Sequence, residues 1–371
     1  MNTDNQPIGI PFLRLQREFE ELQQEWMAMI ADIGAAGSFI LGPNVRAFEE
    51  EAAAYLGTDM SVAVANGTDA LELSLRALDI GPGDKVITSP FTFFATAEAI
   101  SKVGAEPVFA DIEPDSFNLD PESVLRQLSP AVKALLPVHI FGHPANMSAL
   151  GGIAETHGLH LVEDCAQAFG AELGSDKVGS IGATGCFSFY PTKVLGCYGD
   201  GGLISTNSEE LRDRLLKLRN HGASAPFTHD ILGYNSRLDE IQAALLRIKL
   251  RNIEQDIAER IRAAERYDAN LKDSAATLPS RPVQGRHAFN LYTIRHPRRD
   301  ALRARLAEQN IGCSQCYPLG LHLQTVYRNL GYKEGDLPVT DQLCRETLSL
   351  PIFPDMCNEE IDRVCELVIE I

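Results

Sequence analysis

Short apolar runs recur along the chain, and between them lie longer stretches whose apolar residues return every three or four positions. The short runs, Ser61 to Ala65, Lys85 to Ser89, Pro107 to Ala110, Ala134 to Val138, Leu159 to Glu163, Cys186 to Tyr190 and Gly202 to Ser205, predict strands. The helical spacing covers Asp69 to Leu78, Ala95 to Val103, Pro121 to Leu128 and Ser208 to Arg219. Strand and helix in alternation predict an α/β fold with a mostly parallel sheet. After Arg237, the residues Leu238, Ile241, Leu245 and Ile248 share one stripe, and the spacing continues through Ile253, Ile257 and Ile261. One long helix is therefore expected there, carrying the chain out of a large domain (residues 35–250) into a smaller C-terminal α/β domain (251–371). A helix around Leu13 to Ile33, within segment 1–34, is expected to pack on that smaller domain.

Composition narrows the class. With 371 residues the chain can bury a sizeable core. Its 33 basic and 51 acidic residues give a formal charge of −18, which opposes long-range attraction to nucleic acid or to anionic membrane surfaces. No apolar run is long enough to span a bilayer, and Met1 to Pro7 lacks the pattern of a secretory leader. The eight scattered cysteines read as reduced thiols, so a cytoplasmic location is expected. No metal is expected either. The pair Cys313 and Cys316 lacks the second pair of a structural zinc site, and Gly142 and Pro144 argue against a helix presenting His139 and His143 together.

The candidate chemistry begins at Lys193, in Ser188-Phe-Tyr-Pro-Thr-Lys193-Val-Leu-Gly-Cys-Tyr-Gly-Asp-Gly-Gly202. An amine condenses with an aldehyde only when deprotonated, and desolvation lowers a lysine pKa toward neutrality. Phe187, Phe189, Tyr190, Val194 and Leu195 supply an apolar setting, while the glycines allow a ligand close to the backbone. Read alone, the segment fits a surface turn with a solvated lysine equally well. Upstream, Leu159-His-Leu-Val-Glu-Asp164 reads as a buried strand ending on a carboxylate, where open α/β sheets bind ligands. A carboxylate there with a lysine one βα step later is what pyridoxal phosphate requires, because the acid keeps the ring nitrogen protonated. The competing role for Asp164 is a helix N-cap.

The phosphate would sit where Ser61 to Asn66 gives way to a helix opening at Gly67-Thr68, since a helix N-terminus presents free N–H groups and a positive dipole end. Ser188 is a second phosphate candidate. Phe93 could cover one ring face or be plain core.

Together these segments resemble the DegT/StrS family of nucleotide-sugar aminotransferases, pyridoxal phosphate enzymes of fold type I. The resemblance spans nearly the whole chain: Gly37-Ser-Phe-Ile-Leu-Gly42-Pro, Asn66-Gly-Thr-Asp-Ala70, Pro90-Phe-Thr-Phe-Phe-Ala-Thr96, Pro137-Val-His-Ile-Phe-Gly142, Val162-Glu-Asp-Cys-Ala-Gln167, Ser188 to Gly202, Arg219-Asn-His-Gly222 and Gly233-Tyr-Asn-Ser-Arg-Leu238. It implies an aspartate aminotransferase-like large domain. It implies Lys193 as the residue joined to the cofactor, Asp164 on the ring nitrogen and Gln167 near the ring face or its hydroxyl. Gly67, Thr68 and Ser188 would hold the phosphate, and Phe93 would stack on the ring. It further implies a homodimer with shared active sites, Asn235 reaching the neighbouring subunit's phosphate and Arg237 facing the anionic substrate. Tyr317 is carried over as a sugar or diphosphate contact, and His221 and Arg219 are further candidates for the substrate's charge. Cys316 and Asn290 stand where relatives commonly have histidine.

The activity implied is transfer of an amino group from L-glutamate to a nucleotide-linked ketosugar. The acceptor would be a UDP-linked 3-keto-N-acetylhexosamine or uronic acid for O-antigen lipopolysaccharide or another surface polysaccharide. The alternatives are a 4-keto-6-deoxysugar on dTDP or UDP, and a noncatalytic regulatory protein on the same scaffold. An NAD-linked oxidoreductase is disfavoured because no Gly-x-Gly-x-x-Gly turn follows the early strand.

Overall fold

The computed structural model describes residues 9–371. The N-terminal reading of Met1 to Pro7 and the opening of segment 1–34 fall outside the described residues. Seven strands form the main sheet: β1 (Met60–Val64), β2 (Lys85–Thr88), β3 (Glu106–Phe109), β4 (Val132–Leu136), β5 (His160–Asp164), β6 (Thr184–Ser188) and β7 (Gly202–Thr206). Their spatial order is β1-β7-β6-β5-β4-β2-β3. All neighbours are parallel except β7, which runs against both β1 and β6. Each expected strand is present. The carboxyl ends of β1, β5 and β6 therefore share one edge, and β7 begins there, with Gly202 paired to both Val64 and Ser188.

The helices are α1 (Leu15–Ala36), α2 (Pro43–Leu56), α3 (Gly67–Ala77), α4 (Ala95–Lys102), α5 (Pro121–Arg126), α6 (Met147–His157), α7 (Glu209–Leu218), α8 (Glu240–Leu250), α9 (Ile253–Leu271), α10 (Arg299–Glu308), α11 (Pro338–Glu346) and α12 (Asn358–Ile369). On one sheet face, Leu73, Ile100 and Leu215 of α3, α4 and α7 pack on Val62, Leu136 and Ile204. On the other, Phe48 of α2 and Leu245 of α8 meet Ala63, Phe187 and Leu203, and Leu150 of α6 meets Leu135 and Leu161. A second core gathers Tyr267 of α9, Leu302 of α10, Val364 of α12 and a two-stranded ribbon, β8 (Tyr292–Arg295) with β9 (Thr347–Leu350).

Two expectations are corrected. The long helix after Arg237 is two helices, broken at the exposed pair Arg251-Asn252. Its stripe serves two different cores: Ile253 and Ile257 belong to the first, and Ala263, Tyr267 and Leu271 to the second. A break lets α9 aim its apolar side anew. The helix of segment 1–34 does not pack mainly on the C-terminal part either. α1 lies along α8, with Leu22 and Trp26 against the sheet-side core, Trp26 Nε1 donating to the Ile241 carbonyl at 3.0 Å and Lys249 paired to Glu18 at 2.8 Å. The C-terminal part is reached by the residues before α1 and by its first turn: Ile10 joins the second core and bridges to Ile311, Arg14 pairs with Glu360 and Arg17 with Asp355. The amphipathic pattern announces a buried face but not which surface buries it.

Candidate active site

At the shared edge of β1 and β6, α3 opens on Gly67, and Asn66 caps it by accepting from the Asp69 N–H at 2.8 Å. A Cβ on Gly67 would lie 2.7 Å from Cβ of Ser188, and one on Gly202 would lie 2.4 Å from the Asn66 carbonyl oxygen. Glycine is thus required at both positions by close approach, and it brings the first N–H groups of α3 against the Ser188 end of β6. Thr68, half-buried, follows in the first turn. A helix N-terminus set against hydroxyl-bearing residues is an arrangement suited to an anion.

Asp164 closes β5 and is 3% exposed. Its Oδ1 accepts from the Ala166 N–H at 3.1 Å and its Oδ2 from the Thr96 hydroxyl at 2.8 Å. No helix follows β5, so the helix N-cap alternative is not met; the Ala166 N–H bond is a local turn contact that occupies one oxygen. Burial is the main influence on this carboxyl and raises its pKa, opposed by Thr96, the Ala166 N–H and the positive charge of Lys193.

Lys193 lies in the turn after β6, its N–H bonded to the Tyr190 carbonyl at 2.9 Å. Burial lowers the pKa of its amine, while Asp164 and Cys316 pull the other way. The residue is half-buried, which counts against a freely solvated surface lysine. Phe93, just before α4, leaves its ring 61% exposed, against near-complete burial for Phe91 two residues earlier. An uncovered aromatic at the sheet edge fits a stacking surface rather than core.

Gln167 is anchored at both ends: its Oε1 accepts from the Phe141 N–H at 2.8 Å and its Nε2 donates to the Tyr317 hydroxyl at 2.8 Å. The first bond holds a turn in which Phe141 has φ 58°, uncommon for a residue with a side chain. One amide hydrogen of Gln167 and the hydroxyl hydrogen of Tyr317 remain for a ligand. Burial pushes the Tyr317 phenol well up.

Asn235, Arg237 and His221 come together at a neighbouring edge. The His221 N–H donates to the Tyr234 carbonyl, Arg237 bonds Asn220 at 2.8 Å, and Ser236 between them accepts from the Ala65 N–H at 3.1 Å, two residues before Gly67. Asn235 and His221 are exposed. Arg219 differs from expectation. It is 7% exposed and bound to Glu49 and the Ala63 carbonyl, so it ties α7 to α2 and β1. Sequence reasoning also passed over Thr96, because a hydroxyl at a helix start reads as a cap and nothing in its spacing reveals contact with β5.

His139, Glu163 and Cys165 approach within 4.8 Å of one another beneath the site. His139 Nδ1 accepts from the Ala145 N–H and Nε2 faces Glu163, whose oxygens also take the N–H groups of Gly179, Ile181 and Gly182. His139 and Glu163 are thereby committed to anchoring the neighbouring loops.

The fold and this edge define an aminotransferase-like pyridoxal phosphate scaffold. The sequence pattern of the DegT/DnrJ/EryC1/StrS aminotransferase family matches residues 20–369, and the chain belongs to that family. It is 44% identical to a protein of Geobacillus stearothermophilus named pleiotropic regulatory protein, over 98% of each chain. It is 42% identical to the UDP-N-acetyl-3-dehydro-alpha-D-glucosamine 3-aminotransferase of Acidithiobacillus ferrooxidans, again over 98% of each. It is likewise 42% identical to the dTDP-3-amino-3,4,6-trideoxy-alpha-D-glucose transaminase of Streptomyces venezuelae, over 97% of this chain and 96% of the other. The crystal structure of S. venezuelae DesV in complex with a ketimine intermediate superposes with a TM-score of 0.96 at 42% identity, over 98% of each chain. The protein is a pyridoxal phosphate-dependent aminotransferase of fold type I.

Proposed function

We propose that the protein transfers an amino group from L-glutamate to the keto group of a nucleotide-linked sugar. The acceptor we favour is a UDP-linked 3-keto-N-acetylhexosamine or the corresponding uronic acid, in the cytoplasmic synthesis of a surface polysaccharide. The observation that carries the transaminase reading is the pairing of a buried carboxylate, Asp164, with a desolvated amine, Lys193, beside the Gly67–Ser188 cradle. Position 3 is supported by two relatives of equal identity whose names place the amino group there, one on a UDP sugar and one on a dTDP sugar. A dTDP-linked acceptor is therefore the second reading.

Bound pyridoxal phosphate supplies an aldehyde that takes up the amino group and a protonated ring that withdraws electrons from the reacting carbon. The chain's residues do the rest. Asp164 would hold the ring nitrogen's proton, Phe93 would cover one ring face, and Gly67, Thr68, Ser188 and the α3 N–H groups would hold the phosphate. Lys193 Nζ, whose pKa burial lowers, would remove the proton from glutamate Cα in the first half-reaction and deliver one to the sugar carbon in the second. Gln167 would lie near the ring face or its hydroxyl, Tyr317 would offer a donor to the sugar, and Arg237 and His221 would face its diphosphate.

The protein would act as a homodimer. Exposed apolar side chains, Phe39, Ile40, Phe227, Ile231 and Leu232, surround the Asn235 segment, Ile40 bridging to Asp239 and the Phe227 hairpin adjoining Gly222. Such a patch favours a partner surface, and Asn235 would then reach the partner's phosphate.

The acceptor is tested by loading the enzyme with pyridoxamine phosphate and adding UDP- and dTDP-linked 3-keto and 4-keto sugars. The UDP-linked 3-keto sugar is expected to restore the visible band fastest. A faster response to a 4-keto sugar would refute the assignment to position 3.

A further inference from the structure

We propose that Thr96, backed by Thr92, is a positioning residue for transamination: its hydroxyl fixes the Asp164 carboxylate so that one oxygen lone pair stays aimed at the cofactor's ring nitrogen. The inference rests on the placing of Asp164 at that nitrogen. Three observations support it. Thr96 is 1% and Thr92 2% exposed, so neither hydroxyl has water as an alternative partner. The Thr96 Oγ1 to Asp164 Oδ2 distance is 2.8 Å, and the two threonine oxygens are 3.1 Å apart. A carboxylate only accepts hydrogen bonds, so Thr96 must donate to it and in turn accepts from Thr92. The chain of hydroxyls thus has one direction as long as Asp164 is ionised.

That direction matters because burial drives Asp164 toward its neutral form. A neutral acid could not hold a proton on the ring nitrogen. The Thr96 hydroxyl and the Ala166 N–H each take one lone pair of the carboxylate, and a charge-assisted bond of this kind favours the ionised form. The other titratable groups around Asp164 come from different elements: Lys193 after β6, His139 after β4, Cys165 beside it, Cys186 on β6 and Tyr317 from the C-terminal part. Of these only Lys193 and His139 favour the carboxylate. Segment 92–96 therefore serves the ring twice, since Phe93 lies between the two threonines and presents its face outward.

The test uses Thr96→Val, which keeps the branched shape and deletes the donor, with Thr96→Ser to restore it. Two quantities are read: the dissociation constant of pyridoxamine phosphate, which involves no covalent bond to Lys193, and the pH profile of kcat/KM. Thr96→Val is expected to weaken that binding by about tenfold, the scale of one charge-assisted hydrogen bond, and to move the acidic limb to higher pH. Thr96→Ser should recover most of both, and Thr92→Val should change both in the same direction by less. Placed on an Asp164→Asn background, Thr96→Val should add no further loss, because it acts through that carboxylate. Unchanged binding and pH limb in Thr96→Val, or a full additional loss on the Asp164→Asn background, would overturn the inference. If Asp164→Asn alone leaves both quantities at their original values, the failure lies instead with the placing of Asp164. Thr96→Val that does not fold leaves Thr96→Ser and Thr92→Val to decide, and equal loss in Thr96→Ser would count against a role for the hydroxyl.

Discussion

Two residues at the site, Lys193 and Asp164, have burial working against their ordinary charge. Burial lowers the Lys193 amine and raises the Asp164 carboxyl, and each opposes the other's shift. Acid protonates both, which removes the base and the charge that holds the ring proton, so the pH profile of kcat/KM should fall on acidification. Lys193→Ala should cut turnover by at least about a thousandfold, the scale of losing a positioned proton-transfer group. Its circular dichroism should match the parent, because Lys193 lies in a turn outside every helix and strand. Turnover near the parent rate would remove Lys193 from the mechanism. The sequence disclosed both groups through their neighbours, an apolar run ending on Asp164 and a glycine-rich turn after Lys193. It could not disclose that Arg219 is spent on Glu49, because a lone arginine carries no mark of its partner.

Elements were legible in proportion to how locally they are specified. The seven strands of the main sheet are short, apolar and bounded by turn residues, so their existence followed from the chain, while β7 running antiparallel did not. α2 escaped notice as a helix because its N-terminus is capped from elsewhere: Glu240 of α8 accepts the N–H groups of Asn44 and Val45, each at 2.9 Å. The α8–α9 break was hidden since the apolar spacing runs through it unchanged. Behind the Lys193 turn, α1 and α9 enclose Asp256, whose carboxyl burial raises to about 6, against the pull of Arg260 and Lys249. A pKa raised on folding stabilises at low pH and loses that contribution as pH rises through the folded value. Asp256→Asn, which mimics the neutral acid, should therefore leave stability unchanged near pH 4 and raise it by about 1 kcal/mol at pH 8, allowing for partial exposure. Urea unfolding at the two pH values measures this, and a variant less stable at pH 8 than the parent would contradict it.

For the whole molecule, the sheet edge supplies the cradle and the carboxylate, and the C-terminal part leans Tyr317 and Cys316 over them. The apolar residues beside Asn235 remain uncovered in one chain. If Asn235 completes the partner's phosphate site, two defective proteins should repair one another. Lys193→Ala and Asn235→Ala, each weakly active or inactive alone, should on subunit exchange form mixed dimers holding one intact site. Recovery should approach about a quarter of parental activity under random pairing of a twofold dimer. No recovery despite mixed dimers seen by native mass spectrometry would place Asn235 at its own subunit's site.

The most direct test of the central claim is chemical. The protein saturated with pyridoxal phosphate should show a visible absorption band that borohydride abolishes, and digestion should place the reduced adduct on the peptide carrying Lys193. An adduct on another lysine, or none after saturation, would contradict the account.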